Sequence, residues 1–294
     1  TVKVTVTDPG DSNHNSTSAV FTITVQKYTR TLSWTTGTPS SIAYGETGKS
    51  ATVTVGGTGG TAGSVTYTSG TTSAITINSS TGALTVVAAG GSSTITATLG
   101  RTATVKQASI TTTINTTKAA GTMTLSSTSA TKYTGQTINL STYVQNAIGT
   151  VTYAITSNGT TTASTISGST VTLGAMSTTS DSNQTVKVTV TDPGDSNHDS
   201  TSAVFTITVQ KYTRTLSWTS TTPSSVVYGD TSKSATVSLS GSGGTAGAVS
   251  YASGTTSYIT INSSTGALTV VAAGGSSTIT ASLARTATVK AVSA

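Results

Sequence analysis

The side chains best placed to do chemistry lie in one loop, Asp192-Pro193-Gly194-Asp195-Ser196-Asn197-His198-Asp199. Asp195, Asn197 and Asp199 alternate, as oxygen ligands do at the start of a calcium loop, and Asp192 adds a further carboxylate. The pattern is partial: no Gly follows Asp199, and no Glu closes the site. The loop occurs twice, and the earlier copy has Asn15 where the later has Asp199, which removes a charge. Asp and Asn also close tight turns by bonding their own backbone. The same residues therefore support two expectations: an Asx-rich turn between two strands, or a calcium site at Asp192, Asp195, Asn197 and Asp199.

Other chemistries find less to work with. His14 and His198 sit at matching places in the two copies of this loop. A catalytic triad needs a positioned Ser and a buried carboxylate beside the imidazole, and nothing in the spacing supplies them. One His per repeat is too few for zinc, and with no cysteine there are neither thiolate ligands nor disulfides. A Lys–Asn isopeptide bond needs an acid buried between adjacent strands; the acids here fall in predicted turns, with Glu46 and Asp230 alone preceding a strand. The expectation is a protein that is not an enzyme and carries no cofactor, calcium excepted.

Composition narrows the class. Charged residues make up 7% of the chain, against about 25% in an average soluble protein. Thr, Ser, Gly and Val take their place, and β-branched Thr and Val suit a pleated surface. Disorder is excluded by strict apolar/polar alternation, as in Val20-Phe21-Thr22-Ile23-Thr24-Val25. The net charge of +6 comes from scattered residues such as Lys3, Lys27, Arg30 and Lys49. Nucleic-acid binding requires clustered charge, so it is not expected. No apolar run is long enough to span a membrane. The chain opens without Met in mid-strand, which suggests a window from a longer, exported polypeptide.

The elements that position the loop come from duplication. Residues 1–35 recur at 185–219 with the single change Asn15 to Asp199, an offset of 184 residues that continues to the end of the chain. Within that period two units resemble each other. Each has about seven strand-like runs separated by turn signals every 8–12 residues, as in an immunoglobulin-like sandwich. The first runs Thr31–Trp34, a Tyr44-Gly45 turn, Gly63–Tyr67, Ile75–Asn78, Ala83–Val87, Ser93–Thr98 and Ile110–Asn115. The predicted architecture is all-β: tandem immunoglobulin-like sandwiches in a linear array. Its divisions are 1–27 (last strands of one domain), 28–118, 119–211, and 212–294, which repeats 28–110 without the rest of its final strand. Core candidates are Trp34, Tyr67, Ile75, Leu84, Val86 and Ile95, then Leu125, Tyr153, Ile166, Leu173, Val188 and Phe205.

The run Ile75-Thr76-Ile77-Asn78-Ser79-Ser80-Thr81-Gly82-Ala83-Leu84-Thr85-Val86-Val87-Ala88-Ala89-Gly90, with Ser93-Thr94-Ile95-Thr96-Ala97 after it, resembles bacterial Ig-like repeats of surface adhesins. Gly194-Asp195-Ser196-Asn197-His198 followed by Ser202–Val209 is similar to the last hairpin of Ig-like repeats in large bacterial exoproteins, with His198 where an aromatic is expected. The resemblance implies stalks, spacers and adhesive fibres at a bacterial surface, and brings no catalytic residues. Two functions follow as expectations. One is a structural segment of an extracellular filament or adhesin stalk that self-associates; the other is a carbohydrate-binding adhesin module, which would require clustered exposed aromatics.

Overall fold

A computed structural model describes residues 1–294. Every regular element is a β-strand except one 3₁₀ turn, Leu140–Tyr143, begun by the Asn139 side chain accepting from Ser141 N. No helix is long and apolar enough to cross a membrane. The Thr/Val alternation is thus realised as tandem immunoglobulin-like sandwiches, each inward row meeting the inward row of a facing sheet.

In residues 28–118 the larger sheet has four strands in the order Ser41–Ala43, Ala108–Thr117, Ser92–Leu99, Val65–Ser69. The first two run parallel and the rest antiparallel. Opposite lie two antiparallel pairs, Thr31–Trp34 with Val53–Gly56 and Ile75–Ile77 with Leu84–Val86. Ile42, Ile75, Leu84, Val86, Ile95 and Ile114 form the core between them. Trp34 is only partly buried: it packs on this core while its Nε1 donates to Thr111 O. The short strands Ser41–Ala43 and Val53–Gly56 are additions to the sequence reading.

Residues 121–211 repeat the plan. The order is Ser129–Tyr133, Thr201–Gln210, Gln184–Asp192, Thr152–Asn158, again with a parallel first pair. A three-stranded sheet, Thr137–Asn139, Thr170–Thr172 and Thr165–Ser167, faces it. Phe205, Ile207, Val186, Val188 and Val190 are fully buried against Ile138, Leu140, Val171 and Met176. Leu125, Tyr153 and Ile166 pack around that core half-buried.

Residues 212–294 have a three-stranded sheet, Val249–Ser253, Ile279–Leu283 and Val292–Ser293, with pairs Thr215–Trp218/Val237–Ser240 and Ile259–Ile261/Leu268–Val270. Their core is small: Leu216, Ala281, Leu283 and Val289. Residues 1–25 form one hairpin, Val2–Asp8 with Thr17–Ile23. The chain condenses into two compact units, Thr1–Ala120 with Asp195–Asp199, and Gly121–Gly194 with Ser200–Ala294.

Candidate functional site

The loop at 192–199 begins with a buried acid. Asp192 closes the Gln184–Asp192 strand and is 1% exposed. Its carboxylate accepts from Ile148 N (2.7 Å), Gly149 N (2.8 Å) and Gly194 N (3.0 Å). Three backbone donors of two segments thereby find a charged acceptor, which binds the 148–149 turn to the hairpin. The approach is close enough to demand glycine at 149, where a Cβ would fall 2.5 Å from Gly194 O.

The remaining members turn to other tasks. Asp195 Oδ1 accepts from Asn197 N, His198 N and His198 Nδ1 at 2.7–2.8 Å. The His198 ring beside it, then the Asn197 amide, hold the Asp195 carboxyl below its usual range. Asn197 Oδ1 accepts from Ala89 N at 3.0 Å. The Asp199 side chain is exposed, and its N–H donates to Ala119 O at 2.8 Å. The side chains of Asp192, Asp195 and Asn197 thus accept from different donors, and no three His, Cys, Asp or Glu side chains cluster so as to hold a metal ion.

Residues 195–199 make their further contacts inside the compact unit they share with residues 1–120. Within one unit, His198 meets the Tyr44 ring edge to face at 5.4 Å. Lys118 Nζ donates to Asp195 O (2.7 Å) and His198 O (3.4 Å), and Ala119 pairs with His198 as a parallel bridge. The Asx turn thus serves as a socket for the chain as it leaves residues 28–118. His14, by contrast, is exposed and bonded to Asp11 of its own loop.

A second joint, in the other unit, was not legible in the sequence. Asp181 accepts from Arg285 Nε (2.7 Å) and Nη2 (3.0 Å) in a two-pronged pair, from Ala291 N (3.2 Å) and from Lys211 Nζ (3.4 Å). Arg285 also donates to Thr179 O and Lys211 to Ser180 O. The Lys211 ammonium is fully enclosed. Arg285, foremost among these donors, holds the Asp181 carboxyl below its usual range. Tyr133 and Tyr212 stack nearly parallel in the same unit, 4.1 Å between centroids. Asp181 lies in a Ser/Thr-rich run, Ser177-Thr178-Thr179-Ser180-Asp181-Ser182, without periodicity, and its partners are 30 residues on at Lys211 and more than a hundred on at Arg285 and Ala291. No local signal announces such an acid.

No protein-family profile and no curated protein sequence matches this chain. Among solved structures it is similar to the protocadherin GammaB4 extracellular domain at 17% identity, over 99% of this chain and 54% of that one, with a TM-score of 0.31. Human CDH23 EC21-23 matches at 15% identity over 83% of this chain and 91% of that one, TM-score 0.31. Drosophila N-cadherin EC1-4 matches at 13% over 96% and 78%, TM-score 0.29. The chain spans about half the length of the protocadherin domain it matches.

Proposed function

We propose that this chain is a structural segment of a long extracellular filament or adhesin stalk at a bacterial surface, with no catalytic role and no resident cofactor, working through its repeats and their self-association. One observation carries the reading: the connecting lysines are pinned rather than free. Lys118 is held by the carbonyls of Asp195 and His198, and Lys211 is enclosed beside Asp181. A bonded connection such as that at Lys211, inside one compact unit, resists rotation, and a stalk transmits position and load only when its joints do so. The near-identical copies at an offset of 184 residues support the same reading, since length is what such a segment contributes.

Electron microscopy of the native material tests this. Straight, uniform rods or ordered fibres with an axial repeat of two sandwiches are the expected result. Strings of beads that bend freely at every joint would overturn it.

A further inference from the structure

Tyr133 and Tyr212 lie face to face. Their ring centroids are 4.1 Å apart and their planes are 9° from parallel. That is closer than the roughly 4.5–7 Å usual for aromatic pairs. The other two ring contacts each set a tyrosine against a different residue type, Tyr44 against His198 and Tyr143 against Phe205. Tyr133 closes the strand Ser129–Tyr133 of one sandwich, and Tyr212 begins the next. The pair therefore spans a joint inside a single compact unit.

Both residues are fastened by their backbones. Tyr133 pairs with Gln210 in the parallel ladder. Its N–H donates to Gln136 Oε1 at 2.9 Å, and Gln136 N donates back to Tyr133 O at 3.1 Å. Tyr212 N donates to Thr288 O (2.8 Å), and Tyr212 O accepts from Lys290 N (3.0 Å), a parallel bridge to Val289. The Tyr212 ring lies on Gly243 and Gly244, where a Cβ on either would run into it. One residue back, Lys211 is enclosed beside Asp181, and Asp181 takes Arg285 by two prongs. The rings are thus held in register from both sides of the joint. Each remains partly exposed, so a small oxidant can reach it.

We infer that Tyr133 and Tyr212 are a dityrosine site, joined by a one-electron oxidant of the peroxidase class with hydrogen peroxide as the final electron acceptor. Each phenol gives up one electron and its hydroxyl proton, which leaves two phenoxyl radicals. Their unpaired electrons form one carbon–carbon bond between the two Cε positions, ortho to the oxygens. Each joined carbon then releases its hydrogen as a proton and each oxygen regains one, so both rings are phenols again. Two hydrogens leave per link, and one peroxide takes up those two protons and two electrons to become two waters. The stack holds the ring carbons near van der Waals range, and a short slide of one ring over the other brings the Cε atoms together. Because both rings belong to one chain, coupling is intramolecular and outruns the meeting of separate chains in dilute solution. The chain has no cysteine, and this link staples two sandwiches without a thiol. The site depends on the stacked contact alone, whatever the cellular setting of the chain.

The test is treatment of the dilute 294-residue chain with hydrogen peroxide and a haem peroxidase. The expected product is a monomer lighter by two hydrogens, with the blue emission of dityrosine. After trypsin, fragment 212–214 should be joined to fragment 133–187, with the bond on Tyr133 and not on Tyr143 or Tyr153 of the same fragment. Tyr133→Phe and Tyr212→Phe keep a ring in the stack, and each should lower the yield of intramolecular dityrosine at least about tenfold. Tyr143→Phe should leave that yield unchanged. Absence of the link, a link between other tyrosines, or an undiminished yield in either of the two stack variants overturns the inference. So does dityrosine found only in dimers whose yield rises with protein concentration.

Discussion

Residues 2–25 and 186–209 have the same sequence apart from Asn15 and Asp199, and they live in opposite surroundings. Residues 1–294 contain no sheet facing the first hairpin, so Val4, Phe21 and Val25 are 42%, 66% and 72% exposed there, while Val188, Phe205 and Val209 are fully buried. Both hairpins keep the same register, Val4 opposite Phe21 and Val188 opposite Phe205. Pairing is therefore local to the hairpin. Burial is not: it is conferred by Ser129–Tyr133 alongside and by the facing sheet around Ile138 and Val171. A strand's alternation selects which face can be core, and other segments decide whether it becomes core.

Substituting one copy at a time puts this contrast to the test. In the 294-residue chain Phe205→Ala should destabilise by about 3–5 kcal/mol, as for a large buried aromatic, whereas Phe21→Ala should change its stability by less than about 0.5 kcal/mol. Denaturant melts of the two variants check both, and equal effects would refute the burial difference. Next in size is the strand-terminal acid. Asp192→Ala strands partly buried amides at 148, 149 and 194 and should destabilise by about 3 kcal/mol. Asp8→Ala loses one exposed bond to Gly10 N and should change stability by about 0.5 kcal/mol.

Smaller still is the joint at Asp181. Asp181→Asn should destabilise residues 212–294 by about 1 kcal/mol, visible as faster amide exchange near Arg285 and Ala291. Its carboxyl is held below the ordinary value of 3.8, so the stabilisation is complete above that value. It is lost as pH falls through the lower folded one, and neutral-to-basic pH leaves it intact. The two loop acids give a finer contrast. Asp195 is lowered chiefly by His198, Asp11 chiefly by the Asn13 amide. His198→Ala should therefore raise the Asp195 pKa more than His14→Ala raises that of Asp11, as read by carboxyl NMR titration. Smallest is calcium: with both Asp192 oxygens, Asp195 Oδ1 and Asn197 Oδ1 already accepting hydrogen bonds, millimolar calcium should move the melting temperature by less than about 1 °C. A larger rise that Asp199→Ala abolishes would establish the loop as a calcium site.

Much of the architecture was legible because it rests on local pattern. The long strands Ser92–Leu99, Ala108–Thr117, Gln184–Asp192 and Thr201–Gln210 alternate over enough residues to announce both strand and face. Met123, Leu140 and Met176 were not named as core, because each stands in an irregular stretch where no period marks the inward side. The parallel pairings of Ser41–Ala43 and Ser129–Tyr133 depend on partners more than seventy residues away. At the loop, the Asx turn could be read from Asp195-Ser196-Asn197 alone. The grip of Asp192 on residues 148–149 and the contact of His198 with Tyr44 arise from folding and leave no trace in spacing.

The parallel pairing of Ser129–Tyr133 with Thr206–Gln210 carries a consequence for how the chain is made. Thr22-Ile23-Thr24-Val25-Gln26 repeats the sequence of that partner, and it leaves the ribosome first. When Ser129–Tyr133 emerges, its native partner has yet to be synthesised, while a segment of the same sequence has already been made. During that interval the strand meets a segment identical in sequence to its partner, and mispairing between copies is a hazard of repeated modules. In an array of near-identical sandwiches, fidelity is a question of timing as well as of affinity.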